Sequence, residues 1–414
     1  MAIPFFSIDM SAGEWPAYLS GLLTHGGTLG KPSSTLEDGL KGRFSRHEVI
    51  LLPSARLGFY LLLKKSFKVG DEIIFSAMSF PLYVKIAVQL GLVPVLVDVE
   101  SEHLTIDVEL LRRSVTNKTK AIVVTHLFGH PARIREVVQI AHEWEIPVIE
   151  DCAQSYDSFV DDQETGTFSW VGIFSSSLMK VPTTLGGGIL ITTDIGLAEE
   201  IRLELEGLEL NRRVTHSASY HTKGLISILN SYPMLYSLLS HQVLGLIKKK
   251  NPALLRQILY SGMGMAQKEY DPGERPPLAE YQLRVGAVQF ERVREMTEAR
   301  RRNSAILDNV LGQSKRVTIL KQEDGAYWNY QYHVIDLGSK MNSVFDSMFS
   351  RGIHVMKEDV WDCSAYRFAD LERSDCLIAK SRNIGLLRIQ NNSFLSEKTS
   401  RKIANQVSTV LGTV

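Results

Sequence analysis

Cysteine is scarce in this 414-residue chain: Cys152, Cys363 and Cys376 are the only three. An odd, scattered set excludes a complete disulfide framework and offers no metal-like pairing. It fits free thiols in a reducing compartment. Net charge is missing too, since 46 basic side chains balance 46 acidic ones. That balance gives no support to a nucleic-acid or acidic-surface binder. The opening residues, MAIPFFSIDMSAGEW, lack a basic region followed by an apolar run, so no signal peptide is expected and a cytoplasmic location is. No internal repeat or low-complexity tract is found.

A local absence points elsewhere. Residues 224–247 carry no Asp, Glu, Lys or Arg, and three lysines follow. The length approaches a membrane span, but Asn230, Pro233, His241, Gln242 and several serines interrupt it. Buried or partner-covered helices are the expectation there. A membrane-surface or lipid-substrate face, and a true span, stand as the alternatives.

Between residues 46 and 200 strand-like and helix-like stretches alternate. HEVILLPS, DEIIFSAMSF, VPVLVDV, KAIVVTHLFG and IPVIEDCAQ read as strands, separated by helices such as ARLGFYLLLKKSF and ARIREVVQIAHEWE. TIDVELLRRSVT reads as a helix with Thr105 or Asp107 as its expected N-cap. Continuous apolar strands between helices predict an α/β fold with a mostly parallel sheet covered on both faces. Ligands of such sheets sit beyond the carboxyl ends of the strands. After residue 200 comes a helical, loop-rich stretch. LAEYQLRVGAVQFERVREMTEARRRNSAILDNVL then predicts one long amphipathic helix. YWNYQYHVIDL and NIGLLRIQ are expected strands and SVFDSMFSRG a helix, together a compact α+β unit.

Lys180 follows a strand and three serines, and a glycine triplet comes soon after. Asp151 ends the strand VIED, 29 residues earlier. On one rim of a sheet, the amine and the carboxylate could form a plain ion pair. They could equally hold pyridoxal 5'-phosphate (PLP), the lysine as its Schiff-base partner and the acid at its ring nitrogen. Residue type and position leave both open.

The surrounding motifs narrow the choice. VIEDCAQS with GIFSSSLMKVPTTLGGGILITTD resembles the DegT/StrS group of nucleotide-sugar aminotransferases. The shared positions are Glu150, Asp151, Ala153 and Gln154, then Phe174, Ser175 and Lys180, then Thr183, Thr184, Gly187 and Gly188. VGDEIIFSAMSF, VPVLVDVESEHLTIDVELLRRSVTNKTKAIVVTHLFGHPA and LAEYQLRVGAVQFERVREMTEARRRN are similar to further stretches of that group. The resemblance covers about residues 45–200 and 275–410. It implies fold type I: a large domain with a seven-stranded, mostly parallel sheet between helices, and a smaller α+β domain. The expected division is an N-terminal arm 1–45, a cofactor-binding domain 46–200, a helical apolar insertion 201–275, and a linking helix with the small domain over 276–414.

Site roles follow from the resemblance alone. Lys180 would bind PLP covalently and shuttle protons. Asp151 would pair with the ring nitrogen, Gln154 would lie near the phenolic oxygen, and Phe80 would stack on the ring. Ser175, Ser54, Ala55 and Arg56 would serve the phosphate, where a helix start favours an anion on independent grounds. Arg275 falls near the position from which the partner subunit offers a phosphate ligand. Arg56 is open to a plain solvated reading. Three departures stand out: Tyr156 replaces a histidine, Gly186 a carboxylate, and Arg275 an asparagine.

Other features read as ordinary structure. His126 and His130 do not predict a metal site. LGGGIL is expected as a hairpin turn and EARRRN as a solvated helix face. Cys152 reads as a buried thiol. Tyr83, Tyr156, His354 and Trp361 are packing residues or pocket walls. The expected activity is transfer of an amino group from an amino acid, L-glutamate by resemblance, to the ketone of a sugar, by a homodimer with active sites at its interface. The alternatives are a non-sugar or lipid-linked ketone, or a non-catalytic binding or regulatory relative. Family dehydratases carry histidine in place of Lys180, which argues against deoxygenation.

Overall fold

The computed structural model describes residues 2–4, 7–11, 13–25, 34–210, 217–251, 253–255, 269–366 and 376–413. Seven strands form the main sheet, in the spatial order Glu48–Leu52, Gly188–Thr192, Val171–Ser175, Val148–Asp151, Thr119–Thr125, Glu72–Ser76, Val93–Val97. Gly188–Thr192 runs antiparallel to both neighbours, and the other pairings are parallel. This is the α/β architecture expected from the apolar strands. Ile73, Ile74 and Phe75 are successive and all fully buried, which requires cover on both faces because alternate side chains point opposite ways.

Local chemistry sets the helix starts. Ser54 precedes the helix Ala55–Ser66, and its Oγ accepts from Leu57 N at 3.2 Å. Asp107, not Thr105, caps Val108–Ser114 through a 2.9 Å bond from Leu110 N. Pro81 opens the helix Pro81–Gln89, where its missing N–H costs nothing.

A second, antiparallel sheet has the order Thr318–Ile319, His333–Asp336, Leu386–Ile389, Met356–Lys357. A third, small one pairs Ala326–Tyr327 with Phe159–Val160 and so stitches the C-terminal part of the chain to the segment after Asp151. Helices Ser217–Asn230, Pro233–Leu238 and Ser240–Lys250 lie between. No helix among the described residues is long and apolar enough to cross a membrane.

Three expectations need correction. The predicted long helix is two, Glu280–Glu291 and Val293–Leu311, broken at Arg292. Arg292 leaves helical geometry with ψ near 1°, and its side chain turns to the buried Glu14 carboxylate. EARRRN is not a solvated face: Arg300 is 1 % exposed and Asn303 3 %. Arg300 donates to Asn329 O, and Asn303 to Asn392 O. YWNYQYHVIDL is not one strand, because Tyr330 has φ 48° and splits it into Ala326–Tyr327 and His333–Asp336.

Candidate active site

The loop bearing Lys180 joins two neighbouring antiparallel strands, with Ser175 opposite Gly188 at its mouth. Its hydroxyls bond inward. Thr183 Oγ1 donates to Ser176 O and Ser177 O at 3.1 and 2.9 Å, and Thr184 Oγ1 meets Ser176 Oγ at 2.8 Å. Gly187 has φ 143°, and a Cβ there would lie 2.7 Å from Thr184 Oγ1, so only glycine fits. Within this frame Lys180 N donates to Ser177 O at 2.9 Å. Gln331 holds the residues on either side. Its Oε1 accepts from Val181 N at 3.0 Å, and its Nε2 donates to Met179 O at 2.9 Å. The Lys180 Nζ lies 5.4 Å from the centre of the Tyr332 ring, and the Arg388 guanidinium 4.1 Å from the same centre. Arg388 pairs with the fully buried Glu358 at 3.2 Å.

Asp151 ends a strand that pairs directly with the one leading to Lys180. Its carboxylate accepts from Ala153 N at 3.1 Å and from Thr125 Oγ1 at 3.4 Å, and Thr125 also meets Ser79 Oγ at 2.7 Å. Burial pushes the Asp151 carboxyl above its usual range, and the Ala153 N–H and the Lys180 cation pull it back. A buried carboxylate with so few donors suits a cationic ring nitrogen. Phe80 is half-buried, edge-on to Tyr83 at 5.5 Å, and 6.4 Å from Trp361 between ring centres. Gln154 Oε1 accepts from Phe128 N at 2.8 Å. Its carbonyl accepts from Asn329 Nδ2 at 3.0 Å, and Asn329 Oδ1 in turn takes the Gln331 N–H at 2.7 Å.

The anion end is built by close backbone approach. A Cβ on Gly188 would fall 2.3 Å from Ala55 N, so the strand beside Ser175 touches the helix start at Ser54–Ala55. Arg56 is not solvated: it is 9 % exposed and pairs with Glu274 at 2.8 Å. Burial and the neighbouring Arg275 lower its pKa, and Glu274 opposes them. Arg275, expected from a partner subunit, lies against its own chain's Arg56 and Glu274. Amine, carboxylate, aromatic wall and anion cradle together suit a flat aromatic cation with a phosphate tail.

Not every expected residue belongs here. Tyr156 is core, packed on Phe44, Phe174 and Phe290. His354 meets Tyr236 and His241 at 2.7 and 2.8 Å, outside the Lys180 loop. His126, Glu150 and Cys152 cluster, but their polar atoms are occupied. His126 Nδ1 accepts from Ala132 N at 3.0 Å, leaving Nε2–H for Glu150 at 3.1 Å. Glu150 also accepts from Gly166 N and Ser169 Oγ at 2.7 and 2.8 Å. Sequence reasoning missed Ser79, Thr125, Gln331 and Tyr332. THLFG holds Thr125 and NYQY holds Gln331 and Tyr332, neither with a diagnostic spacing, and Ser79 stands in SAMSF, read only as part of a strand.

Comparison with known proteins agrees with this arrangement. The sequence model of the DegT/DnrJ/EryC1/StrS aminotransferase family matches residues 17–227, just over half of the chain. A GDP-perosamine synthase of Escherichia coli O157:H7 is 33% identical over 156 residues, 37% of this chain and 43% of that protein. The L-glutamine:2-deoxy-scyllo-inosose aminotransferase of Micromonospora echinospora is 31% identical over 243 residues, 59% of this chain and 48% of its own length. The chain thus spans less than half of these relatives. Among solved structures, the Helicobacter pylori aminotransferase PseC, involved in the biosynthesis of pseudoaminic acid, superposes with a TM-score of 0.77 over 100% of both chains at 16% identity. A GDP-4-keto-6-deoxymannose-3-dehydratase with a trapped PLP-glutamate geminal diamine gives 0.73 at 18% identity, over 98% of this chain and 100% of that one. These likenesses establish the fold-type-I architecture.

Proposed function

Because the chain belongs to the DegT/DnrJ/EryC1/StrS aminotransferase family, we propose that it is a PLP-dependent aminotransferase. It takes the amino group of an amino acid, L-glutamate first, and passes it to the ketone of a nucleotide-linked sugar for glycan or secondary-metabolite synthesis. It works in the cytoplasm as a homodimer. The observation that carries this reading is the convergence of Lys180 and Asp151 at the carboxyl ends of two paired strands. The dehydratase neighbour trapped with PLP and glutamate supports the cofactor and the donor.

Bound PLP supplies an electron sink for the carbon that carries the amine. The chain's residues do the rest. Asp151 keeps the ring nitrogen protonated, in a pocket where an unpaired carboxylate would be costly. Phe80 walls one ring face and Gln154 faces the phenolic oxygen. Ser54, Ala55 and Ser175 hold the phosphate at a helix start, with Arg56 and Arg275 adding charge. Lys180 would hold and move a proton at its Nζ, and Gln331 and Tyr332 set where its amine can reach. Residues 46–200 form the cofactor-binding domain and 276–414 the smaller one.

The relative named for L-glutamine and 2-deoxy-scyllo-inosose makes a second reading specific: glutamine as donor and a ketone that is not a nucleotide sugar. The test is the absorption spectrum of purified protein with PLP, beside Lys180→Ala. A visible band that only the wild type forms, and that L-glutamate converts to the amine form, supports the proposal. Conversion by glutamine alone moves the second reading ahead. No Lys180-dependent band overturns both.

A further inference from the structure

Among the described residues, helices Ser217–Asn230, Pro233–Leu238 and Ser240–Lys250 are fastened along one side. Ser231 Oγ accepts from Ile8 N and Ser237 Oγ from Ala2 N, both at 2.7 Å. Tyr236 bonds His354, and Lys248 pairs with Asp346 at 2.8 Å. Ile228, Tyr236 and Leu244 are buried on that side. Among the described residues, most of their other large apolar side chains are exposed. Ten of the twenty large apolar side chains exposed among the described residues fall between Leu225 and Leu254. Met234, Leu238 and Leu239 are each more than 60 % exposed. So concentrated a patch calls for an apolar occupant.

Charge identifies the occupant. From residue 210 to 268 the chain has no Asp or Glu and eight Lys or Arg, although the whole chain is neutral. Lys249 and Lys250 are exposed at the end of the last helix. A two-fold contact between copies would set two such basic, acid-free segments against each other. An anionic bilayer instead meets both properties: apolar side chains enter the acyl boundary, and lysines reach the headgroups. The family match ends at residue 227, so most of this face lies beyond the matched region.

We propose that these three helices form a docking face for the surface of an anionic phospholipid bilayer, without crossing it. The inference does not depend on the reaction proposed above. The test is flotation of the full-length, PLP-loaded protein with vesicles of phosphatidylcholine, alone or mixed with phosphatidylglycerol. The expected result is binding to the anionic vesicles, much weaker binding to the neutral ones, and release as salt is raised. Lys249→Gln with Lys250→Gln should weaken partitioning about 25-fold, each lysine near an anionic surface being worth about a factor of five. Leu238→Ser with Leu239→Ser should weaken it by at least roughly tenfold. Both pairs are exposed, and unchanged thermal melts will show that the fold is intact. Absence of binding, or equal binding to both vesicle types, overturns the proposal. So does a drop in solution mass of the leucine variant without any vesicle binding by the wild type, which would assign the face to a second copy of the chain.

Discussion

Gln331 grips the chain on both sides of Lys180, accepting from Val181 N and donating to Met179 O. The two residues are far apart in sequence, so this side chain fixes the lysine's loop from another part of the fold. Removing it should leave PLP bound and misplace the amine. Gln331→Ala is expected to lower the turnover of the donor half-reaction by about 100-fold, the scale of a small misplacement at a reacting centre. Gln331→Glu keeps the acceptor but sets a carboxylate against Met179 O, and should also be slow. Stopped-flow kinetics of the glutamate half-reaction decide it, and an unchanged rate would remove Gln331 from the machinery.

Arg56 lies at the start of the helix Ala55–Ser66, paired with Glu274. Arg56→Met should weaken PLP roughly tenfold, as expected for loss of a charge-assisted contact, and leave binding of unphosphorylated pyridoxal nearly unchanged. Adding Glu274→Gln removes the carboxylate that Arg56 pairs with. If the double variant regains PLP affinity, Arg56 only neutralises Glu274 and does not serve the phosphate. Fluorescence titration with the two ligands reads the difference.

Gly129 has φ 88°, and a Cβ there would sit 2.0 Å from Asn329 Oδ1 and 2.7 Å from Gln154 O. Gly129→Ala therefore presses on the asparagine that orients both Gln154 and Gln331. The expected cost is roughly 2–4 kcal/mol of stability, with weaker PLP retention. Denaturant unfolding gives the first quantity. A variant as stable as wild type would show that the crowding relaxes cheaply.

Burial pushes the Asp308 carboxyl up to about 7. A carboxyl raised in the folded state contributes stability that is complete below its unfolded pKa and is lost as pH rises through about 7. Asp308→Asn removes that dependence. The melting temperature of the variant relative to wild type should therefore climb between pH 5 and 8, conditions set by the experiment on the scale of about one titration. A constant difference across the range would place the Asp308 pKa elsewhere.

The large sheet was legible because its strands are unbroken apolar runs, and the Lys180 and Asp151 motifs lie on them. One short-range cap was half legible: Asp107, one of the two expected N-caps, is the one used. The failures share a cause. The break at Arg292 interrupts a helical period that runs on across it, and its reason, the buried Glu14, is remote in sequence. Arg300 looks solvated by composition and is buried by a partner at Asn329. Gln331 and Tyr332 sit in a tract of polar and aromatic residues where no spacing announces their distant partners. Tyr156 stands in a motif where relatives keep a polar group, but here Phe44, Phe174 and Phe290 enclose it.

The strand Glu48–Leu52 is joined to the main sheet only through Gly188–Thr192. Its partner leaves the ribosome some 140 residues later, about ten seconds or more at ordinary synthesis rates. Until then the helix start at Ser54 has no Gly188 against it, and the Lys180 loop has no second strand to close on. Anion cradle and amine are thus completed by the same late pairing event. A truncated or stalled chain ending before residue 188 would carry most of the apolar strands, with the anion cradle and the Lys180 loop both left open.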